Sequence, residues 1–231
     1  GGDETIASLS GSGTIDNGGF LLTVTQAADQ TFSGAISGTG GLTKSGASVL
    51  TLSGANTYTG ATTISAGGIT TGAANVIPDA SNLINNGALV LGGDETIASL
   101  SGSGTIDNGG FLLTVTQAAD QTFPGVISGA GGLTKLGAAV LTLSGANTYT
   151  GPTTIDAGTV NFNGVNTGAS AVTVNGAGTK LAGTGTIPGS VTMNAGTILA
   201  PGGNNGDLVG TLTINGNVTF NGASKYMVTM T

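Results

Sequence analysis

Apolar residues along the chain fall at every second position over short runs, as in LLTVT from Leu21 and VLTLS from Val49, with Thr or Ser between them. A period of two buries one face of a strand and leaves hydroxyls on the other. A helix would need a period of 3.6, and no stretch carries it. Within the first 67 residues the pattern predicts strands at Thr5 to Leu9, Thr14 to Asp16, Phe20 to Thr25, Thr31 to Ile36, Leu42 to Lys44, Val49 to Leu52 and Thr62 to Ile64. Gly, Asn, Asp and Ser separate them, with Asn-Gly pairs at Asn17, Asn86, Asn108, Asn163, Asn175, Asn205, Asn215 and Asn221. Both members of such a pair tolerate the positive φ of tight turns. A lone Asn-Gly between strands signals a hairpin. Here so many short strands with so few bulky residues predict a solenoid instead, each coil adding a few inward side chains to a narrow core.

The second organising feature is a duplication. Gly1 to Gly67 returns as Gly92 to Gly158 with seven substitutions, an offset of 91 residues. Units so alike stack and bury a shared core. The expected organisation is one β-solenoid over 1–231, with near-identical copies at 1–67 and 92–158, a spacer coil at 68–91 and degenerate coils of the same texture at 159–231. The spacer is the one stretch where a short helical or looped excursion is expected. Pro201 to Gly210, PGGNNGDLVG, reads as the clearest loop. With three strands and roughly 23 residues per coil, stacked at about 4.8 Å, the chain predicts about ten coils and a rod on the order of 50 Å long.

Composition narrows the class. Charged residues make up 6% of 231, Gly numbers 45, and Cys, His and Trp are absent, as is Arg. This departs from ordinary globular usage, yet the chain is apolar enough to escape the signature of disorder. Its net charge of −7 includes only four lysines, Lys44, Lys135, Lys180 and Lys225. No basic patch for nucleic acid or an anionic membrane surface can be assembled from them. No apolar run is long enough to span a bilayer.

The stretch GLTKSGASVLTLSGANTYTGATTISAG from Gly41, returning as GLTKLGAAVLTLSGANTYTGPTTIDAG from Gly132, resembles the autotransporter-associated β-strand repeat of bacterial autotransporter passenger domains. The C-terminal third, from GTGTIPGSVTMNAG onward, looks like the last passenger coils of such proteins. The resemblance implies an all-β, right-handed parallel β-helix (β-solenoid), exported through the outer membrane of a Gram-negative bacterium by a C-terminal barrel and then displayed or released. No series of barrel strands follows Lys225, and neither an initiator Met nor a signal peptide opens the chain. The sequence therefore reads as part of a longer secreted protein.

Parallel β-helices include polysaccharide-degrading enzymes, and such an activity would need a titratable site. General acid–base and nucleophilic sites recruit His, Cys or an Arg clamp, none of which exists here. Carboxylate pairs can serve a glycosidase, and Asp3 with Glu4, repeated at Asp94 with Glu95, is the densest acidic feature. These pairs read as solvated turns ahead of a strand. GSGTIDNGG, at Gly11 and Gly102, comes nearest to a calcium loop but brings one carboxylate where a cluster is needed. Glycine-rich runs lack the Lys-Ser/Thr ending and following helix of a phosphate loop. Interrupted Thr rows suit β propensity better than ice binding. Asn56, Tyr58, Asn147 and Tyr149 read as structural stacking residues, an Asn bonding the coils above and below and a Tyr stacking on its equivalent; an aromatic sugar platform is the functional alternative.

The expectation is thus a non-catalytic cell-surface or adhesive scaffold with no cofactor and no metal. Its expected partners are copies of itself, head-to-tail or side by side, and glycans or other surface ligands. The alternative is a subunit of an extracellular filament, since the open ends of a β-helix invite pairing. A polysaccharide-degrading enzyme is the remote third reading.

Overall fold

The computed structural model describes residues 1–202 and 210–227. Among these there is no helix, and strands of two to four residues pair in parallel with the turn before and the turn after. The period-two pattern is used as written. In Leu22–Val24 the two apolar residues are buried and Thr23 between them is half-buried, and Leu113–Val115 and Val172–Val174 repeat this.

Three faces run along the rod. The first carries Glu4–Ile6, Leu22–Val24, Leu42–Lys44, Thr62–Ile64, Asn82–Asn85 and Ser99–Ser101 as one ladder, and Gln121–Phe123 through Lys225–Tyr226 as another. The two ladders meet where Ser99–Ser101 packs on Gln121–Phe123. The second face begins at Gln30–Phe32 and Val49–Leu52 and runs to Val126–Ser128. It continues through Thr148 N on Ile127 O and Thr167 N on Asn147 O. The third starts with Ile15–Asp16 on Ile36–Ser37. From Glu95–Ile97 it forms a seven-stranded sheet ending at Val218–Phe220.

Register gives the turn length. Leu22 pairs with Leu42 and Leu42 with Thr62, so a turn here takes 20 residues rather than the 23 expected. The solenoid has about ten turns. One turn, 42 to 61, buries Leu42, Leu50, Leu52 and Tyr58. These side chains are covered by the turns before and after, so each turn depends on its neighbours for a core.

The duplicated copies do not superpose on the same faces. Starting from Leu42–Lys44 on the first face, four turns lead to Gln121–Phe123, and two further faces lead to its copy, Leu133–Lys135, on the third. Likewise Val49–Leu52 lies on the second face and its copy Val140–Leu143 on the first. The second copy is rotated about the axis by two faces. The sequence tolerates this because all three faces ask for the same thing, alternate buried apolar residues between glycine corners.

Two local expectations change. Thr31 to Ile36 is two strands, Gln30–Phe32 and Ile36–Ser37, on different faces. The corner between them is at Gly34, where a Cβ would lie 1.7 Å from Gly13 O. The spacer holds three ladder strands, Gly68–Thr71, Asn82–Asn85 and Ala88–Val90, joined by a strand-free stretch at 72–81. Of the expected loop at Pro201 to Gly210, Pro201 closes a strand and 203–209 lie outside the described residues.

Candidate functional site

The signature stretch places Asn56 and Tyr58 just after Val49–Leu52, where the chain leaves ladder geometry. Asn56 is buried. Its Oδ1 accepts from Ile36 N at 2.8 Å and its Nδ2 donates to Val76 O at 2.8 Å, one turn before and one turn after. A side-chain amide stands where backbone pairing is interrupted, which matters because an unpaired buried N–H costs about 1–3 kcal/mol. Asn147 accepts from Ile127 N at 2.8 Å and donates to Asn166 Oδ1 at 2.9 Å, and Asn166 passes the ladder on to Thr186 O at 2.9 Å.

Tyr58 and Tyr149 point into the core. The Tyr58 hydroxyl bonds Thr62 Oγ1 at 2.6 Å, and Thr62 bonds Ser81 Oγ at 2.8 Å. Tyr149 meets Thr153 Oγ1 at 2.7 Å, and Thr153 meets Ser170 Oγ at 3.1 Å. Burial raises both phenol pKa values, that of Tyr149 to about 12. The two rings lie four turns and two faces apart, and among the described residues the ring pair is Phe220 with Tyr226. Beside Tyr149, Asn147, Phe162 and Ser170 leave a cavity of about 10 Å³, room for one water. Asn56, Tyr58, Asn147 and Tyr149 are all buried and so not accessible to a sugar.

Asp3 and Asp29, with their copies Asp94 and Asp120, share one task at the corners. Asp3 and Asp94 Oδ1 accept from Leu21 N and Leu112 N, each at 2.8 Å. Asp29 and Asp120 Oδ1 do the same for Val49 N and Val140 N. The reading of Asp94 with Glu95 as a solvated turn is corrected for Glu95, which is 1% exposed. The spacer coil covers it, and its Oε1 and Oε2 accept from Val76 N at 2.8 Å and Ile77 N at 3.2 Å. Desolvation raises its pKa to about 7, with these bonds and one from Thr71 pulling the other way. Glu4, its counterpart, is exposed.

Sequence reasoning counted Lys44 and Lys135 only as charges, but both are fully buried. Each takes an inward register position, Lys44 between Val24 and Ile64, Lys135 between Val115 and Ile155. Lys44 Nζ donates to Ser45 O and Gly46 O at 2.8 and 2.9 Å, and Lys135 Nζ to Leu136 O and Gly137 O at 2.7 and 2.8 Å. Burial lowers both pKa values, that of Lys135 to about 8, against the pull of Asp29 and Asp120 respectively. Alternation itself carried the signal, since LTK repeats the spacing of LTV.

Also missed was a side-chain ladder on the third face. Asn175 Nδ2 donates to Asp156 Oδ1 at 2.7 Å, Asn194 to Asn175 at 2.6 Å and Asn221 to Asn194 at 2.9 Å. It was legible as an Asp or Asn directly after each of TTI, VTV, VTM and VTF. Among the described residues, no three carboxylates come together as a metal centre needs.

A three-faced parallel solenoid with asparagine ladders and capped corners is a repeat-built rod, and its repeats place it with autotransporter passenger sequences. The passenger-associated-transport-repeat family matches residues 42–70 and 133–162, the two signature stretches. The chain is 36% identical over 179 residues to the Adhesin BmaC autotransporter of Brucella suis biovar 1 (strain 1330). That match takes in 68% of this chain and 5% of the relative, so the chain spans about one twentieth of its length. No solved structure matches.

Proposed function

We propose that the chain is a non-catalytic stretch of a bacterial surface adhesin, a stiff rod that holds contact surfaces away from the cell. The carrying observation is the stack of parallel turns, among the described residues, built around two passenger-associated transport repeats, together with the likeness to an autotransporter adhesin. Stiffness comes from parallel ladders, supplemented by asparagine side chains where backbone pairing is interrupted, that tie each turn to the next, so bending requires breaking several bonds at once. The localisation that fits is extracellular or outer-membrane-anchored, on a Gram-negative cell. Neutral Thr, Ser and Asn surfaces suit weak, repeated contact with glycans or with neighbouring copies, end to end or side by side, where avidity exceeds single-site affinity. Excising this segment from its gene in the native bacterium, with the export machinery intact, should reduce attachment to host surfaces or cell–cell aggregation. Unchanged attachment and aggregation with normal surface display would refute the adhesive role.

A further inference from the structure

Along the chain the threonine rows read as interrupted, but the register of the third face closes one of them. Thr96 pairs with Thr114, and the file runs on through Thr134, Thr154, Thr173 and Thr192 to Thr219. All seven strands of this sheet thus present threonine at one outward position, over about 29 Å at about 4.8 Å per turn. On the first face the equivalent file, Thr5, Thr23, Thr43 and Thr63, ends at Ile84. The threonines from Thr96 to Thr192 each stand between two buried neighbours on the strand, and a β-branched side chain so placed keeps few rotamers.

Among the described residues, none of the seven hydroxyls is taken by a protein group, in contrast to Thr62 and Thr153 in the core and Thr116 at the corner. They cannot satisfy one another, because about 4.8 Å between turns exceeds the reach of an O–H···O bond at about 2.5–3.0 Å. One bridging water can. A water bonded at about 2.8 Å to each of two hydroxyls, with its bonds near the tetrahedral angle, spans about 4.5 Å. That span is the second-neighbour distance of a tetrahedral water network, so the file holds its bridging waters at nearly the separation they take in ice.

The columns on either side keep the surface level and neutral. Asp156, Asn175, Asn194 and Asn221 are fixed beside the threonines by their own side-chain bonds. Each asparagine spends one amide N–H there and keeps the second, a further row of donors two residues along the strand, about 6.6 Å from the first. On the other flank Gly132, Pro152, Ala171 and Ser190, aligned by the same ladder, are too short to overhang the file. From 159 to 231 the charged residues are Lys180, Asp207 and Lys225. Both lysines lie on the first face, and Asp207 is outside the described residues.

We propose that the third face from Thr96 to Thr219 is an ice-binding surface, its ligand the ordered water of an ice crystal plane. A dissolved ligand on this level face would have to strip water from every hydroxyl for a net gain of about 0.5–1.5 kcal/mol per bond. Ice is met instead through the waters already bridged there, with no such exchange. The proposal stands apart from the adhesive role.

The test is nanolitre osmometry and ice-recrystallisation inhibition on the 231-residue chain. Thr154→Tyr combined with Thr173→Tyr is the disrupting variant, and Thr43→Tyr, outward on the first face, is its control. Tyrosine suits an exposed strand position, so all three proteins should share one thermal midpoint. The parent should facet growing ice crystals and open a gap between freezing and melting points. The double variant should lose both effects, because two rings in mid-file hold an ice plane off the remaining threonines, and Thr43→Tyr should keep both. A parent that neither shapes ice nor slows recrystallisation beyond an inert protein, a double variant as active as the parent, or an equal loss in Thr43→Tyr would overturn the proposal.

Discussion

Lys135 provides the sharpest test of the energetic reasoning. Its stem runs into the third-face core between Val115 and Ile155, and its ammonium caps the carbonyls of Leu136, Gly137 and, at 3.4 Å, Ala157. Burial lowers its pKa from 10.5 to about 8, while Asp120 opposes the change. In the unfolded chain the same lysine keeps its proton to about pH 10.4. Between about pH 8 and 10.5 the unfolded state therefore binds more protons than the native state, and stability rises with pH across that window. At about 1.36 kcal/mol per pH unit the full span is about 3 kcal/mol. The ammonium has no exposed surface but lies close to it, at a part-buried corner, where nearby solvent screens part of the effect, so a gain of about 2 kcal/mol is expected. Guanidinium unfolding at about pH 7.5, 9 and 10.5, for the parent and for Lys135→Met, isolates it. Methionine suits the site, since Met193 occupies the same inward column. The buried phenols, whose raised pKa values give an opposite slope above about pH 10, are present in both proteins and cancel. Parallel pH profiles for the two proteins would refute the assignment of Lys135 as a buried, destabilised ammonium.

Glu95 has the opposite sign, since burial raises its native pKa to about 7 from the ordinary 4.5. Stability should fall by about 2 kcal/mol as pH rises from 4.5 to 7, and Glu95→Gln should remove that slope in urea melts. Asn147→Ala leaves Ile127 N without its acceptor and should cost about 1–3 kcal/mol, read as a lower thermal midpoint. Gly145→Ala would place a Cβ 1.8 Å from Gly125 O and should cost more than about 3 kcal/mol. Gly110→Ala, with nothing within 4 Å, should change stability by less than about 0.5 kcal/mol.

Much of the fold can be read along the chain because a solenoid is written locally. LTV, VTV and VTM state which residues face inward, and glycines such as Gly34 and Gly145 state where the chain must turn. The period-two alternation, the duplication and the repeat signature together determine an all-β stack with a hydroxyl-rich exterior. Read strictly, the alternation even assigns Lys44 and Lys135 to the interior, against the habit of placing lysine outside.

What the tertiary structure decided is which turn lies against which. Turn length varies, from 17 residues between Asn82 and Ser99 to 27 between Val191 and Val218, and no local signal fixes it. For that reason the second copy's rotation by two faces, and the separation of Tyr58 from Tyr149, could not be read from an offset of 91. Burial of Glu95 belongs with these, because only the stacking of 72–81 on the turn that follows brings the Val76 and Ile77 N–H groups to its carboxylate.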